Sequence, residues 1–206
     1  MSLRTVIAAC KRRGITTLFV TDHNEVEGAR RLQAIAPFRV IVSEEITTSE
    51  GEIVGYFLTK RIAPHQSPEA TIQAIRDQGG LVSIPHPFDR LRHSAIRRST
   101  LERIISDVDI LEVFNARNVF PSDDQAADVY AKEQRKMVIA VSDAHSRWEV
   151  GRSSVELGPF GSPDEFLVAL KTATLHKHRS PIVVHTITKF NKFRAKWGKK
   201  PKIQTR

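Results

Sequence analysis

Hydrophobic and polar positions divide the chain into alternating helical and strand-like stretches. Leu3, Val6, Ile7 and Cys10 recur at helical spacing, and Gly14 is placed to end that helix in a left-handed cap. "ITTLFV" then reads as a buried strand, and "EVEGARRLQAIA" as a helix stopped by Pro37. "FRVIV" and "EIVGYFL" read as strands. Ser67 and Pro68 open a helix whose inner face carries Ile72 and Ile75 and which ends at Gly79 and Gly80. Strand "LVSI", a short helix at "STLERII", strand "DILEVF", a helix through "DQAADVYAKEQ" and strand "MVIAV" continue the alternation. Ser162 and Glu165 form a capping-box pair at the head of "PDEFLVALKTA".

Continuous apolar strands alternating with helices predict an α/β fold with a parallel sheet covered by helices, barrel-like or doubly wound. Such folds place their sites at the carboxyl ends of the strands. The chemically active residues fall there: Asp22 and His23 in "VTDHN", Glu45 after "FRVIV", His86 in "PHP", Asn115 after "DILEVF", and Asp143 and His145 in "SDAH". Apolar runs that stop repeatedly in carboxylate and imidazole point to one shared site.

Composition changes this picture little. The 206 residues, 40% hydrophobic and 27% charged, suit one sizeable core or at most two small domains. No apolar run approaches the ~18 residues a membrane span needs, and the start lacks the apolar stretch of a signal peptide, so a cytoplasmic protein is expected. The single cysteine, Cys10, sits on an apolar helix face and reads as packing. Charge is unevenly distributed. Residues 188–206 hold eight Lys and Arg and no acid, whereas residues 1–187 hold 24 basic and 23 acidic residues. The expected division is a near-neutral domain over 1–187 and a cationic tail over 188–206 suited to polyanion contact, with Phe190, Phe193 and Trp197 interleaved among its lysines.

Imidazoles and carboxylates at converging strand ends form a nitrogen and oxygen donor set that suits Zn, Mn or Fe. Carboxylates can bridge two cations, and a bound cation lowers the pKa of water enough to give a nucleophile without serine or cysteine. Each residue alone has a plainer reading: Asp-His after a strand is commonly a turn with a helix cap, and "PHP" a rigid loop.

The motifs "VTDHNEVEGA", "SEEITTSEGEIVGYFL", "QGGLVSIPHPFDRLR", "ILEVFNAR" and "VSDAHSRWEVGRS", in this order, resemble the PHP domain family (polymerase and histidinol phosphatase) from about residue 5 to 187. The nearest likeness is to small stand-alone metal-dependent phosphoesterases. The resemblance implies a distorted seven-stranded β/α barrel, one to three divalent metal ions, and hydrolysis of a phosphate ester on a small molecule, nucleotide or oligonucleotide. By motif it implies His23, Glu45, His86, Asp143 and His145 as metal ligands, and catalytic roles for Asp22 and His145. It leaves Arg90, Asn115 and Arg117 to hold the substrate phosphate, a role the guanidinium fork fits.

The chain departs from the family at its start. The family opens with a strand ending in His-x-His, and no histidine precedes Gly14 here. The expectation is therefore a barrel without its first strand, fewer ligands, impaired activity, and exposed strand edges open to self-association. "HKH" at 176–178 follows a helix and reads as a solvated loop, and His65, His93 and His185 lie outside the motifs. The competing expectation is a non-catalytic module that binds a phosphorylated ligand, nucleic acid or a protein partner.

Overall fold

A computed structural model describes residues 1–181; the basic tail, His185 and the tail aromatics lie outside the described residues. Helix α1 (Leu3–Arg13) opens at Ser2, whose hydroxyl accepts from the Thr5 N–H, and closes at Gly14 with φ 66°. That backbone region disfavours any residue with a Cβ. Next come β1 (Thr17–His23), α2 (Glu27–Ile35), β2 (Arg39–Thr48), β3 (Gly51–Tyr56), α3 (Pro68–Arg76) and β4 (Leu81–Ile84). Then follow α4 (Arg98–Ile104), β5 (Ile110–Asn115), α5 (Pro121–Glu133) and β6 (Met137–Val141). The chain continues through β7 (Ser154–Glu156), α6 (Pro163–Leu170) and β8 (Thr174–His176).

Strands β1 to β6 form one curled, half-barrel sheet in sequential order. The pairs β1–β2, β4–β5 and β5–β6 are parallel, as the helix-length crossovers require. The expected all-parallel sheet is corrected at β3, which runs antiparallel to both β2 and β4. Only Ser49 and Glu50 separate β2 from β3, a connection too short for anything but a hairpin. The small hairpin of β7 and β8 carried no strand signal in the apolar pattern. Among the described residues β1 and β6 each pair on one side only.

The outer face of the sheet packs on helices. Ile46, Ile53, Ile72, Ile75, Ile84, Leu101 and Leu111 form its main core, each worth about 1.5–3 kcal/mol on burial. The concave face is graded along the strands. At one end Phe19, Tyr56, Leu81, Ile110, Ile139 and the α6 residue Phe166 close an apolar plug. At the other end the inward positions become His23, Glu45, Glu52 and Glu112. Strand alternation makes this grading possible, since every second residue faces inward.

Candidate metal centre

The register of β1 on β2 sets His23 beside Glu45. Asn24, in the left-handed region at φ 54°, fixes that junction. Its N–H donates to the Glu45 carbonyl at 2.9 Å, its Oδ1 accepts from the Thr47 N–H at 2.8 Å, and its Nδ2 donates to the Thr47 hydroxyl at 3.0 Å. Asparagine tolerates this conformation better than most residues, which answers why the strand stops in Asp-His-Asn. His86 at φ 32° and Asp143 at φ 45° are strained in the same sense. Such strain persists where surrounding contacts over-determine it, and that is common at functional sites.

His23 Nδ1 lies 3.4 Å from Glu45 and 3.5 Å from Glu52. His86 Nε2 approaches the same two carboxylates, at 3.2 Å and 3.7 Å. One donor atom from each of His23, Glu45 and Glu52 lies within 4.8 Å of the others. Glu52 was missed in the sequence because β3 is antiparallel, so its first residues, not its last, reach the end where the parallel strands finish.

On the other side of the cluster, Glu112 accepts from the His86 backbone N–H at 3.1 Å and from Asn115 Nδ2 at 2.8 Å. A register shift between Glu112 and Phe114 lets both Glu112 and Asn115 point inward although they are three residues apart. Asn115 Nδ2 also reaches Asp143 at 3.3 Å, and its Oδ1 accepts from the Arg117 N–H at 2.8 Å. Arg92 donates to Asp143 at 2.8 Å and lies 3.3 Å from Asp89. His145 Nδ1 donates to the Asp143 carbonyl at 2.9 Å, since a carbonyl can only accept. In the neutral ring this leaves the Nε2 lone pair for a ligand.

The remaining sequence candidates are placed elsewhere. Asp22 alternates to the opposite face from His23, and its carboxylate lies over Gly28 in α2, where an added Cβ would come within 2.3 Å. Arg90 is turned outward, paired with Asp123 at 2.6 Å and set over the Phe120 ring at 4.9 Å. Arg117 is buried against Glu149 at 2.8 Å. Arg92, overlooked because its motif matched at Arg90, is the guanidinium that faces the acidic cluster. The loop expected at 176–178 is corrected at His176, which ends strand β8 and pairs with Glu156 at 2.8 Å; His176 and His178 are both exposed.

Electrostatics mark the cluster. Burial raises the pKa of Glu45, Glu52 and Glu112, the last to about 8. Burial, reinforced by Arg92, depresses His86 to about 4, so its imidazole is neutral. Burial opposes ionisation of Asp143 too, but Arg92, His145 and His86 outweigh it and hold its pKa below the usual value. Glu45, Glu52, Glu112, Asp143 and Asp89 crowd about Arg92, and a buried excess of negative charge is costly unless a cation or protons offset it. Glu52 Oε2 and His86 Nδ1 are buried without a hydrogen-bond partner among the described residues. A mixed imidazole and carboxylate set of this kind fits a divalent transition-metal ion.

A family described as PHP-associated matches residues 121–175. That match, over a minor part of the chain, supports a PHP-domain family protein. Two uncharacterized proteins of Methanocaldococcus jannaschii are similar in sequence to this chain. MJ1587 is 39% identical over 117 residues, covering 55% of this chain, and MJ0417 is 33% identical over 165 residues, covering 75%. The chain spans 66% of the length of each. A crystal structure from Bacteroides vulgatus, a two-domain protein containing a predicted PHP-like metal-dependent phosphoesterase, superposes with a TM-score of 0.66 at 14% identity, over 86% of this chain and 61% of that one. At that identity the likeness shows the fold, a PHP-like barrel architecture. No helix among the described residues is long and apolar enough to cross a membrane.

Proposed function

We propose that this chain is a metal-dependent phosphoesterase of the PHP-domain family. The observation that carries the reading is the convergence of His23, Glu45, Glu52 and His86 beside Asp143 and His145, in a partly buried cluster rich in carboxylates. These six side chains are the proposed ligand set for one or more divalent ions, with Zn, Mn and Fe suited to their donors. When bound, such an ion supplies Lewis acidity and lowers the pKa of water to near neutrality.

The protein's own groups do the rest. His86 stays neutral through burial, which keeps the lone pair of one ring nitrogen available. Asn115 fixes the carboxylates of Glu112 and Asp143 through one amide. The Asp143 carbonyl orients the His145 ring through Nδ1. Arg92, at the edge of the acidic cluster, holds the substrate phosphate, because a guanidinium matches phosphate oxygens in geometry and stays charged. Arg90 and Arg117, engaged by Asp123 and Glu149, support the loops that form the rim.

The test uses the full chain loaded with Mn or Zn and an aryl phosphate ester. Metal-dependent hydrolysis that is lost in both His86→Ala and His145→Ala, with metal content measured in each, supports the reading. Stoichiometric metal binding without hydrolysis of any phosphate mono- or diester would refute it and leave a non-catalytic binding module.

A further inference from the structure

A second site lies at the other end of β2 from the metal cluster, and we propose that it binds a small organic acid, a carboxylate carried on an apolar body. At its amino end β2 runs beyond its neighbour. The pairing of β2 with β3 stops at Ser43 and Tyr56, so residues 39–42 of β2 have no strand on that side. Phe57, at φ 61°, turns the chain away from the ladder. That conformation is unusual for a bulky residue, and such positions gather at ligand sites. A groove of about 540 Å³ opens there, with β2 and α2 along one wall and residues 57–59 along the other. Its volume lies within the range of small-molecule pockets, about 300–1,000 Å³.

The floor of the groove supplies hydrogen-bond donors. The Arg39 N–H donates to the Thr16 carbonyl on the β1 side. Successive residues of a strand turn their peptide groups to opposite sides, so the N–H groups of Val40 and Val42 aim into the groove. The carbonyls on that side are taken: Val42 accepts from the Leu58 N–H and Val40 from Gln33 Nε2, both at 2.9 Å. The Val40 and Val42 N–H groups have no partner among the described residues. The far wall is fixed by Gln78, whose Oε1 accepts from the Thr59 N–H at 3.0 Å and the Lys60 N–H at 2.8 Å. The groove is therefore preformed, and a ligand spends little on ordering it.

Cations without acids line the same groove. Arg30 donates to the Thr59 carbonyl, and Arg39 to the carbonyls of Phe160 and Gly161. Neither has a carboxylate partner among the described residues, whereas Arg31, next along α2, is paired with Glu27 at 2.9 Å. A guanidinium has five N–H donors, so both keep donors to spare. Phe38, Phe57 and Leu58 add apolar surface beside them. Two amides and two guanidiniums call for an anion, and the guanidinium fork matches a carboxylate. The apolar walls call for hydrocarbon attached to it. A phosphorylated sugar would meet the same cations but would set its hydroxyls against walls that cannot bond them.

The experiment follows the backbone amide NMR signals of the full chain, in chelator, during titration with octanoate, octanol and acetate. Octanoate is expected to shift the Val40 and Val42 amides saturably. It should bind at least about tenfold tighter than octanol, which lacks the charge, and than acetate, which lacks the apolar body. Arg30→Gln should weaken octanoate by about tenfold or more and leave octanol unchanged, while Arg30→Lys keeps most of the affinity. Arg30 is exposed, so both variants are expected to melt like wild type. The comparison of the three ligands needs no variant and decides the matter even where a variant melts early. Equal affinity for octanoate and octanol, or an Arg30→Gln variant that binds octanoate normally, overturns the proposal. Shifts that leave Val40 and Val42 untouched, with the carboxylate held by the basic tail or elsewhere, overturn it too. The readout involves no hydrolysis, so the result is independent of the phosphoesterase reading.

Discussion

Arg117 and Glu149 form a buried ion pair at 2.8 Å that joins the loop after β5 to the loop after β6. The second Glu149 oxygen accepts from the His145 backbone, so the pair also sets where that imidazole stands. Removing one partner strands the other charge in the interior, which typically costs about 3–5 kcal/mol. Arg117→Ala is therefore expected to lower the melting temperature by several degrees and to reduce metal-dependent activity through misplacement of His145. Thermal melts with and without metal check the first effect and steady-state kinetics the second. An Arg117→Ala variant that melts and turns over like wild type would falsify the role given to this pair.

The second prediction concerns pH in the metal-free protein. Glu112, raised to about 8 by burial, binds a proton in the folded state that it has lost in the unfolded one. Its contribution is fully favourable below its unfolded pKa and declines as pH rises toward 8, by at most about 1.4 kcal/mol per pH unit. His86, depressed to about 4, acts with the opposite sign: stability grows as pH rises from about 4 to its unfolded value near 6.5. Glu112 and His86 oppose each other below about pH 6.5, and above it His86 drops out while Glu112 continues, in the same sense as the raised Glu45 and Glu52. Melting temperature in chelator should fall between about pH 6.5 and 8 in wild type and fall less in Glu112→Gln. Parallel curves for the two proteins would show that Glu112 is ionised throughout.

A third prediction separates the two faces of β1. An alanine Cβ at position 28 would sit 2.3 Å from Asp22 Oδ2, so Gly28→Ala must displace the Asp22 carboxylate. His23, on the other face, is not in that path. Metal affinity is expected to stay within about twofold of wild type, with a stability loss in the usual range of about 0.5–3 kcal/mol. A tenfold or larger fall in bound Mn at equilibrium dialysis would mean that Asp22 supports the cluster directly.

Much of the fold was legible because its signals are local. The cap at Ser67, the stop at Gly14 and the apolar runs of β2, β5 and β6 are set by neighbours in sequence. The placement of His23, Glu45 and His86 at one end followed from the rule for parallel strands. That rule hid Glu52, because the direction of β3 is decided by a hairpin and not by its own composition. Glu112 was hidden for a related reason: it lies within an apolar strand, and its inward aim shared with Asn115 depends on a register shift that no periodicity shows. The arginines are a different case. Arg90 and Arg92 are two residues apart in an irregular loop, so nothing in the sequence said which would face the site.

Glu52 gives the sharpest test, because its two consequences have opposite signs. Without metal it is a buried carboxylate raised in pKa by desolvation and by Glu45, with one oxygen unpartnered among the described residues. Replacing such a group by an uncharged one of similar shape relieves an unfavourable burial. Glu52→Gln should therefore melt higher than wild type in chelator at pH 7 to 8. With metal the same change removes a ligand, and binding to the folded state stabilises it by RT ln(1 + [L]/Kd). The metal-induced rise in melting temperature should accordingly shrink, and Mn or Zn affinity should drop by at least about tenfold. A purely structural Glu52 would lower stability in both conditions. A residue remote from the metal would leave the metal-induced rise intact. Only a carboxylate held in the pocket for a cation gives a gain in chelator together with a loss in metal.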